Sequence, residues 1–161
     1  MSRRVQYAPL LQPLLGQAAG YSRSILRTRH DAEDAVQQAA LRGLERIATF
    51  DASRSFKGWW FAILRNCCID TLREFRAAKT ESLENFDPPD CMPPDTSAWE
   101  CLSTAMNRLS QDHREILRLR YFADLSYREL AETLNIPQGT VMSRLHLARK
   151  ALQAQMRKEE P

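Results

Sequence analysis

The sequence predicts an all-α protein: two small helical domains, 1–76 and 99–161, joined by an extended acidic linker, 77–98. Three observations lead there. Apolar residues recur at three- and four-residue intervals through both ends of the chain, the spacing of amphipathic helices. The middle gathers Pro88, Pro89, Pro93 and Pro94 among Asp87, Asp90 and Asp95, with few large apolar residues. Near the C-terminus a short helical pattern, a turn and a second helical pattern follow one another, which makes a helix-turn-helix. A length of 161 residues leaves room for two cores, because domains can be as short as about 50 residues.

The first helix is built on Leu10/Leu11, Leu14/Leu15, Ala18 and Ile25/Leu26, although Pro9, Pro13, Gly16 and Gly20 interrupt it. The second is expected to start near Asp31, whose side chain can cap it, with Glu33 and Asp34 at the positive helix end. It runs through Val36, Ala40, Leu44 and Ile47. A loop over residues 50–55 precedes a third helix carrying Phe56, Trp59, Trp60, Ile63, Leu64, Cys67, Leu72 and Phe75. At that spacing at least two of Trp59, Trp60 and Phe61 are expected in the core. Proline removes backbone donors and biases its neighbours toward extended geometry, so residues 77–98 read as a tether.

Beyond the tether, Ser97 to Glu100 fits a capping box and opens a helix through Leu102, Met106 and Leu109. Ser110 can cap the next helix, which holds Ile116, Leu117 and Tyr121. Ser126 to Glu129 forms a second capping box before Leu130, Ala131 and Leu134. After Asn135-Ile136-Pro137, a last helix begins at Gln138-Gly139-Thr140. At 100° per residue, Val141, Leu145, Ala148 and Leu152 share one side of it, which is predicted to be buried. Gly139, Ser143, His146 and Lys150 face outward, flanked by Thr140, Met142, Leu147 and Arg149. That small, polar, partly basic face suits a major groove.

Charge is unevenly spread. Residues 1–76 carry 12 Lys/Arg against 7 Asp/Glu, residues 77–98 carry 1 against 5, and residues 99–161 carry 10 against 8. Basic ends therefore flank an acidic middle, within a net charge of only +3. Cys67, Cys68, Cys91 and Cys101 form no Cys-x-x-Cys pair and read as small hydrophobic residues with reduced thiols. No apolar run approaches the roughly 20 residues that span a bilayer, and the first residues lack a secretory apolar stretch. A cytoplasmic location is expected.

The stretches Leu125 to Ala131 and Ile136 to Leu145 resemble region four of the bacterial sigma factors, in the extracytoplasmic-function group of the sigma-70 family. The resemblance implies that the last helix enters the major groove at the minus-thirty-five promoter element. Thr140, Ser143, Arg144, His146, Arg149 and Lys150 inherit contact roles, Ser143 and His146 at base edges and Arg144, Arg149 and Lys150 at phosphates. Met142 and Leu147 stand where the family commonly has basic residues; either is suited to a thymine methyl or to a protein partner.

Upstream, Asp31 to Gln37 followed by Leu41-Arg42 resembles the region-two helix that docks on the polymerase clamp. Asp34, Gln37 and Arg42 are the contacts carried over, and a solvated face is the competing reading. Gln38 and Ala40 replace residues that are usually acidic and aromatic. Ser55 to Asn66 and Ile69 to Arg73 resemble the helix for promoter melting. The resemblance implies that loop 50–55 captures a flipped base of the minus-ten element. Asn66, Asp70 and Arg73 match the pattern, with Asn66 the base-recognition candidate; Arg54, Lys57, Arg65 and Arg76 supply backbone contacts.

No Gly-rich phosphate loop, metal-ligand cluster or nucleophile-base spacing is present, so no enzyme, cofactor or metal is expected. The resemblance implies core RNA polymerase, promoter DNA and an anti-sigma factor as partners. One rival reading is a sigma-like mimic that occupies an anti-sigma factor without binding promoters. Another is a plain helix-turn-helix regulator, which would not explain the first domain.

Overall fold

The computed structural model describes residues 3–78 and 96–159. They form eight α-helices and no strand: α1 Arg3–Leu11, α2 Leu15–Arg23, α3 Arg29–Arg46, α4 Phe56–Ala78, α5 Thr96–Asn107, α6 Gln111–Tyr121, α7 Tyr127–Leu134 and α8 Gln138–Glu159. The expected all-α class holds. Most of the expected tether, residues 79–95, lies outside the described residues. Of its ends, Ala77 and Ala78 still belong to α4, and α5 begins at Thr96, one residue ahead of the Ser97 expected to open it.

The first helix read from the sequence is two. A 3₁₀ turn, Gln12–Leu14, separates α1 from α2, and Ile25 and Leu26 lie past the end of α2. Pro13 sits inside that turn and has no N–H to continue the ladder, so the backbone tightens there. The cap of α3 also differs from expectation. Thr28 has extended backbone, and its Oγ1 accepts from the Asp31 N–H at 3.0 Å, so Asp31 sits inside the first turn.

The buried stripe of α3 is shifted from the expected one. Ala32, Ala35, Ala39 and Gly43 are buried, whereas Leu44 is 37% exposed and Leu41 63% exposed. Small residues win the inner face because α3 lies against α4 and the bulk is supplied from the other side. Trp60, Phe61, Leu64, Cys67 and Cys68 of α4 are wholly buried. Trp59 is partly buried against Phe50 and Phe56, so two of the three aromatic residues are core, as expected. Burial pushes the Cys68 thiol up to about 12, which suits an unreactive packing residue.

A polar thread crosses this core. The Tyr7 hydroxyl donates to the Ala40 carbonyl at 2.7 Å and accepts from the Trp60 indole N–H at 3.0 Å. It pins α1 to both long helices. A Cβ on Gly43 would run into this hydroxyl and come within 3.1 Å of the Trp60 ring, so glycine is what allows the thread to pass.

In the second half the Ser110 cap and the Ser126–Glu129 box are those expected, whereas Ser97, expected to cap α5, lies one residue inside it. The Ser110 side chain accepts from the His113 N–H, and Ser126 and Glu129 exchange both capping-box bonds. Helix α7 ends at Asn135 in the left-handed conformation, φ 53°, which asparagine tolerates. Pro137 immediately precedes α8. Val141, Leu145 and Ala148 of α8 are buried against Leu130 and the α6 residues Ile116, Leu117 and Leu119, whereas Leu152, expected with them, is half-buried one turn further on.

The two halves touch through α4 and α7. Ser55 caps α4: its Oγ accepts from the Gly58 N–H, and its carbonyl accepts from the Trp59 N–H. The same hydroxyl donates to Glu129 Oε1 at 2.8 Å, and the Ser55 N–H donates to Glu132 Oε2 at 3.1 Å. Two carboxylates therefore lie at the positive end of α4. The Thr133 hydroxyl, buried, donates to the Gly58 carbonyl at 2.9 Å. A Cβ on Gly58 would lie 3.3 Å from the Glu129 carbonyl oxygen, so the missing side chain sets how closely α7 approaches. Lys57 Nζ donates to the Asp124 carbonyl at 2.8 Å, Arg128 donates to the Ser53 carbonyl at 3.2 Å, and Arg65 pairs with Glu115.

Burial pulls the Glu129 carboxyl up, but hydrogen bonds from Ser126 and Ser55 outweigh it, and its pKa is lowered overall. A depressed folded-state pKa means that Glu129 stabilises this arrangement above its ordinary range and that the contribution is lost as pH falls through the folded value.

Two outcomes are expected. Gly43→Ala lowers folding stability by about 1–3 kcal/mol through overpacking, read as a drop in thermal midpoint, although alanine is the better helix former at an unhindered position. Replacing Glu129 and Glu132 together by alanine separates the halves and enlarges the radius of gyration in small-angle X-ray scattering. The unsubstituted chain is expected to do the same on acidification below the ordinary carboxylate range, with its helical circular dichroism retained.

Candidate promoter and polymerase interfaces

Three surfaces carry the candidate residues. The first is the outer face of α8. Gly139, Ser143, His146, Arg149 and Lys150 are exposed, and Met142 and Leu147 are 57% and 55% exposed beside them. Ser143 is held by its own helix, Oγ donating to the Thr140 carbonyl at 3.1 Å. Thr140 is half-buried. Arg149 donates through Nε to the Tyr121 hydroxyl at 2.9 Å and lies over the Tyr121 ring, so α6 aims this side chain. Arg144 is more withdrawn; it pairs with Asp112 at 3.8 Å. The face thus presents two short polar groups between oriented cations and two exposed apolar side chains.

The second surface is α4 with the loop before it. Asn66 and Arg73 are exposed, and Asp70 lies between them on the same side, half-buried. Arg65 donates to the Asn66 amide oxygen at 3.4 Å while also pairing with Glu115 of α6. The structure brings Asn66, Asp70 and Arg73 together as one stripe, one to two turns apart. Arg54 and Lys57 sit at the other end of the helix. Lys57 is bound to Asp124, and Arg54 shares a cleft with Arg128, Glu132 and Gln138. Arg76 is exposed in the last turns of α4. Asp51, at the base of the loop, accepts from the Ser53 N–H at 2.9 Å.

The third surface is the outer face of α3. Asp34 pairs with His30 at 3.2 Å, and Gln37 is exposed. Leu41 and Leu44 fall on the same stripe as Asp34 and Gln37 and are exposed with them. Arg42 points to one side of this stripe, where its Nη1 donates to Asp70 Oδ2 at 3.1 Å.

Sequence reasoning placed the α8 face well and missed three things. The apolar pattern of α3 runs through Leu44, which is 37% exposed, whereas the inner face is the Ala32, Ala35, Ala39 and Gly43 stripe. The Glu129, Glu132 and Thr133 contacts with α4 had no signal in the sequence, because they join residues more than 70 positions apart. The Arg42–Asp70 pair joins two residues for which the resemblance implies separate roles.

The chain matches the family model of sigma-70 region 2 over residues 10–78 and that of sigma-70 region 4 over residues 99–152. It is 34% identical over 143 residues to the ECF RNA polymerase sigma factor SigW of Bacillus subtilis, spanning 80% of this chain and 76% of that protein. It is 32% identical over 157 residues to the ECF RNA polymerase sigma factor RpoE of Cereibacter sphaeroides, spanning 93% and 86%. Among solved structures, its fold resembles that of the sigma factor RpoE of Bartonella quintana, crystallised with the anti-sigma factor NepR. That comparison gives a TM-score of 0.76 at 25% identity and covers 94% of this chain and 97% of the other. With matched regions in both halves and relatives this similar along most of its length, the chain belongs to the ECF RNA polymerase sigma factors.

Proposed function

We propose that the three surfaces divide the work of transcription initiation: α3 docks on core RNA polymerase, α4 with loop 50–55 opens the minus-ten element, and α8 reads the minus-thirty-five element. On this reading residues 1–76 and 99–161 are the working domains and residues 77–98 the tether. The chain acts in the cytoplasm and performs no catalysis of its own; bond formation belongs to the polymerase.

The observation that carries the reading is that one chain presents two separate polar, cation-flanked faces, Asn66/Arg73 on α4 and Ser143/His146 on α8. A melted base exposes its Watson–Crick edge and its π-face, so the Asn66 amide can hold it while Arg73, Arg65, Arg54 and Lys57 take up backbone phosphates. On α8, Ser143 and His146 reach base edges, Thr140 supports the helix start, and Arg144, Arg149 and Lys150 supply charge without sequence information. On α3, Asp34, Gln37 and Arg42 ring the exposed Leu41 and Leu44, a polar rim about an apolar centre that suits a protein partner.

The closed contact between α7 and α4 bears on this division. Ser55, Lys57 and Arg65 are bonded to the second half, and the positive end of α4 is filled by Glu129 and Glu132. A DNA strand entering loop 50–55 must displace those carboxylates, so α7 has to leave α4 before melting begins. An anti-sigma factor that favours the closed form would keep the chain idle. The mimic reading draws its support from exposed Met142 and Leu147 at positions where a DNA-binding helix gains from cations.

Two variants separate these roles. Asn66→Ala reduces permanganate-detected promoter opening more than it reduces core binding, and Ser143→Ala changes the base preference at the upstream element. Unchanged transcription in both defeats the assignment. Arg149→Ala weakens promoter binding by a similar factor on every sequence and lowers the salt slope by about one unit, measured by binding titrations at several salt concentrations.

A further inference from the structure

Arg42 and Asp70 lie on different working surfaces, yet the structure joins them. On α3, Arg42 is one turn beyond buried Ala39 and two beyond buried Ala35. On α4, Asp70 is one turn beyond buried Cys67 and two beyond Ile63. Both residues therefore stand at the lip of the α3–α4 seam, on opposite helices and at the same level. Arg42 Nη1 meets Asp70 Oδ2 at 3.1 Å, with the side chains 39% and 43% exposed. Arg42 also approaches the Cys67 thiol.

This placement conflicts with a DNA contact for Asp70. An unpaired carboxylate between Asn66 and Arg73 would repel backbone phosphates, and its charge is here turned toward Arg42. Only one of the five guanidinium N–H donors is used in that bond, which leaves Arg42 able to bind a second partner from a fixed position.

We propose that Asp70 is a positioning residue for polymerase docking: its carboxylate holds Arg42 of α3 in its docking geometry and ties the polymerase-facing helix to the melting helix. The proposal rests on the reading of α3 as the polymerase-docking helix. Removing Asp70 leaves Arg42 swinging on a flexible stem, so docking weakens while the bases read by α4 stay the same.

The test uses the full chain and core RNA polymerase. Dissociation constants are measured by fluorescence anisotropy, and base preference by binding to a minus-ten fork-junction DNA library in the presence of saturating core enzyme. Asp70→Asn keeps the shape and removes the charge; it is expected to weaken core binding about fivefold, the range of a partly exposed pair, and to leave the ranking of minus-ten bases unchanged. Combining Asp70→Asn with Arg42→Ala is expected to weaken docking no further than Arg42→Ala alone, since Asp70 acts only through Arg42. A shifted base ranking in Asp70→Asn, with or without weaker docking, overturns the proposal. So does unchanged core affinity in that variant, or a double variant whose loss is the product of those of its singles. Should the double variant fail to fold by circular dichroism, the Asp70→Asn result decides alone. Asp34→Ala and Arg42→Ala test the docking reading separately: if neither weakens core binding, that reading fails, whereas weakening there without weakening in Asp70→Asn sinks only the positioning role.

Discussion

On the proposed reading the first turn of α4 meets two kinds of anion. Its helix dipole favours negative charge, and the missing side chain of Gly58 leaves the backbone open to close approach. In the closed chain that demand is met internally by Glu129 and Glu132, with Thr133 completing the contact. On the proposed reading the same turn faces the promoter strand once the chain opens. Carboxylates and phosphates would then compete for one helix end, so promoter melting and the contact between the halves would exclude each other. Regulation can then act on the position of α7 without altering either DNA-reading surface.

A second constraint is the thinness of the α3–α4 seam. Ala32, Ala35, Ala39 and Gly43 let α3 lie close to a helix whose own inner face is made of Trp60, Phe61, Leu64 and Cys67. That choice sends the larger α3 residues, Leu41 and Leu44, outward, where they are available to a protein partner. It also lets the Tyr7 hydroxyl reach both Ala40 and Trp60, so α1 is locked by hydrogen bonds as well as by apolar burial. Packing economy inside the first half and the character of its outer face have one cause.

Much of this was legible in the sequence, and the misses have physical reasons. The Ser110 cap, the Ser126–Glu129 box and the Val141, Leu145, Ala148 stripe depend on neighbours within a few residues, and all were readable. The break at Gln12–Leu14 is marked in the sequence by Pro9 and Pro13, whereas the apolar spacing alone runs straight through it. Thr28, not the expected Asp31, caps α3; both residue types cap well and only the backbone angles separate them. The inner face of α3 is poorly marked in the sequence because alanine and glycine carry little hydrophobic signal even where close approach makes them the better choice. The candidate residues on α8 and α4 follow from motif; the bonds that restrain them, Arg149 to Tyr121, Arg42 to Asp70 and Arg65 to Glu115, join helices distant in sequence and need the fold.

The most direct test of the account is multi-round transcription from a promoter library by bacterial core RNA polymerase, with and without the purified chain, sequencing the transcript starts. The account predicts new starts only when the chain is present, sharing an upstream element and a downstream element at fixed spacing. No new starts, with the same core enzyme active alongside another sigma factor, would contradict it and leave the mimic reading in its place.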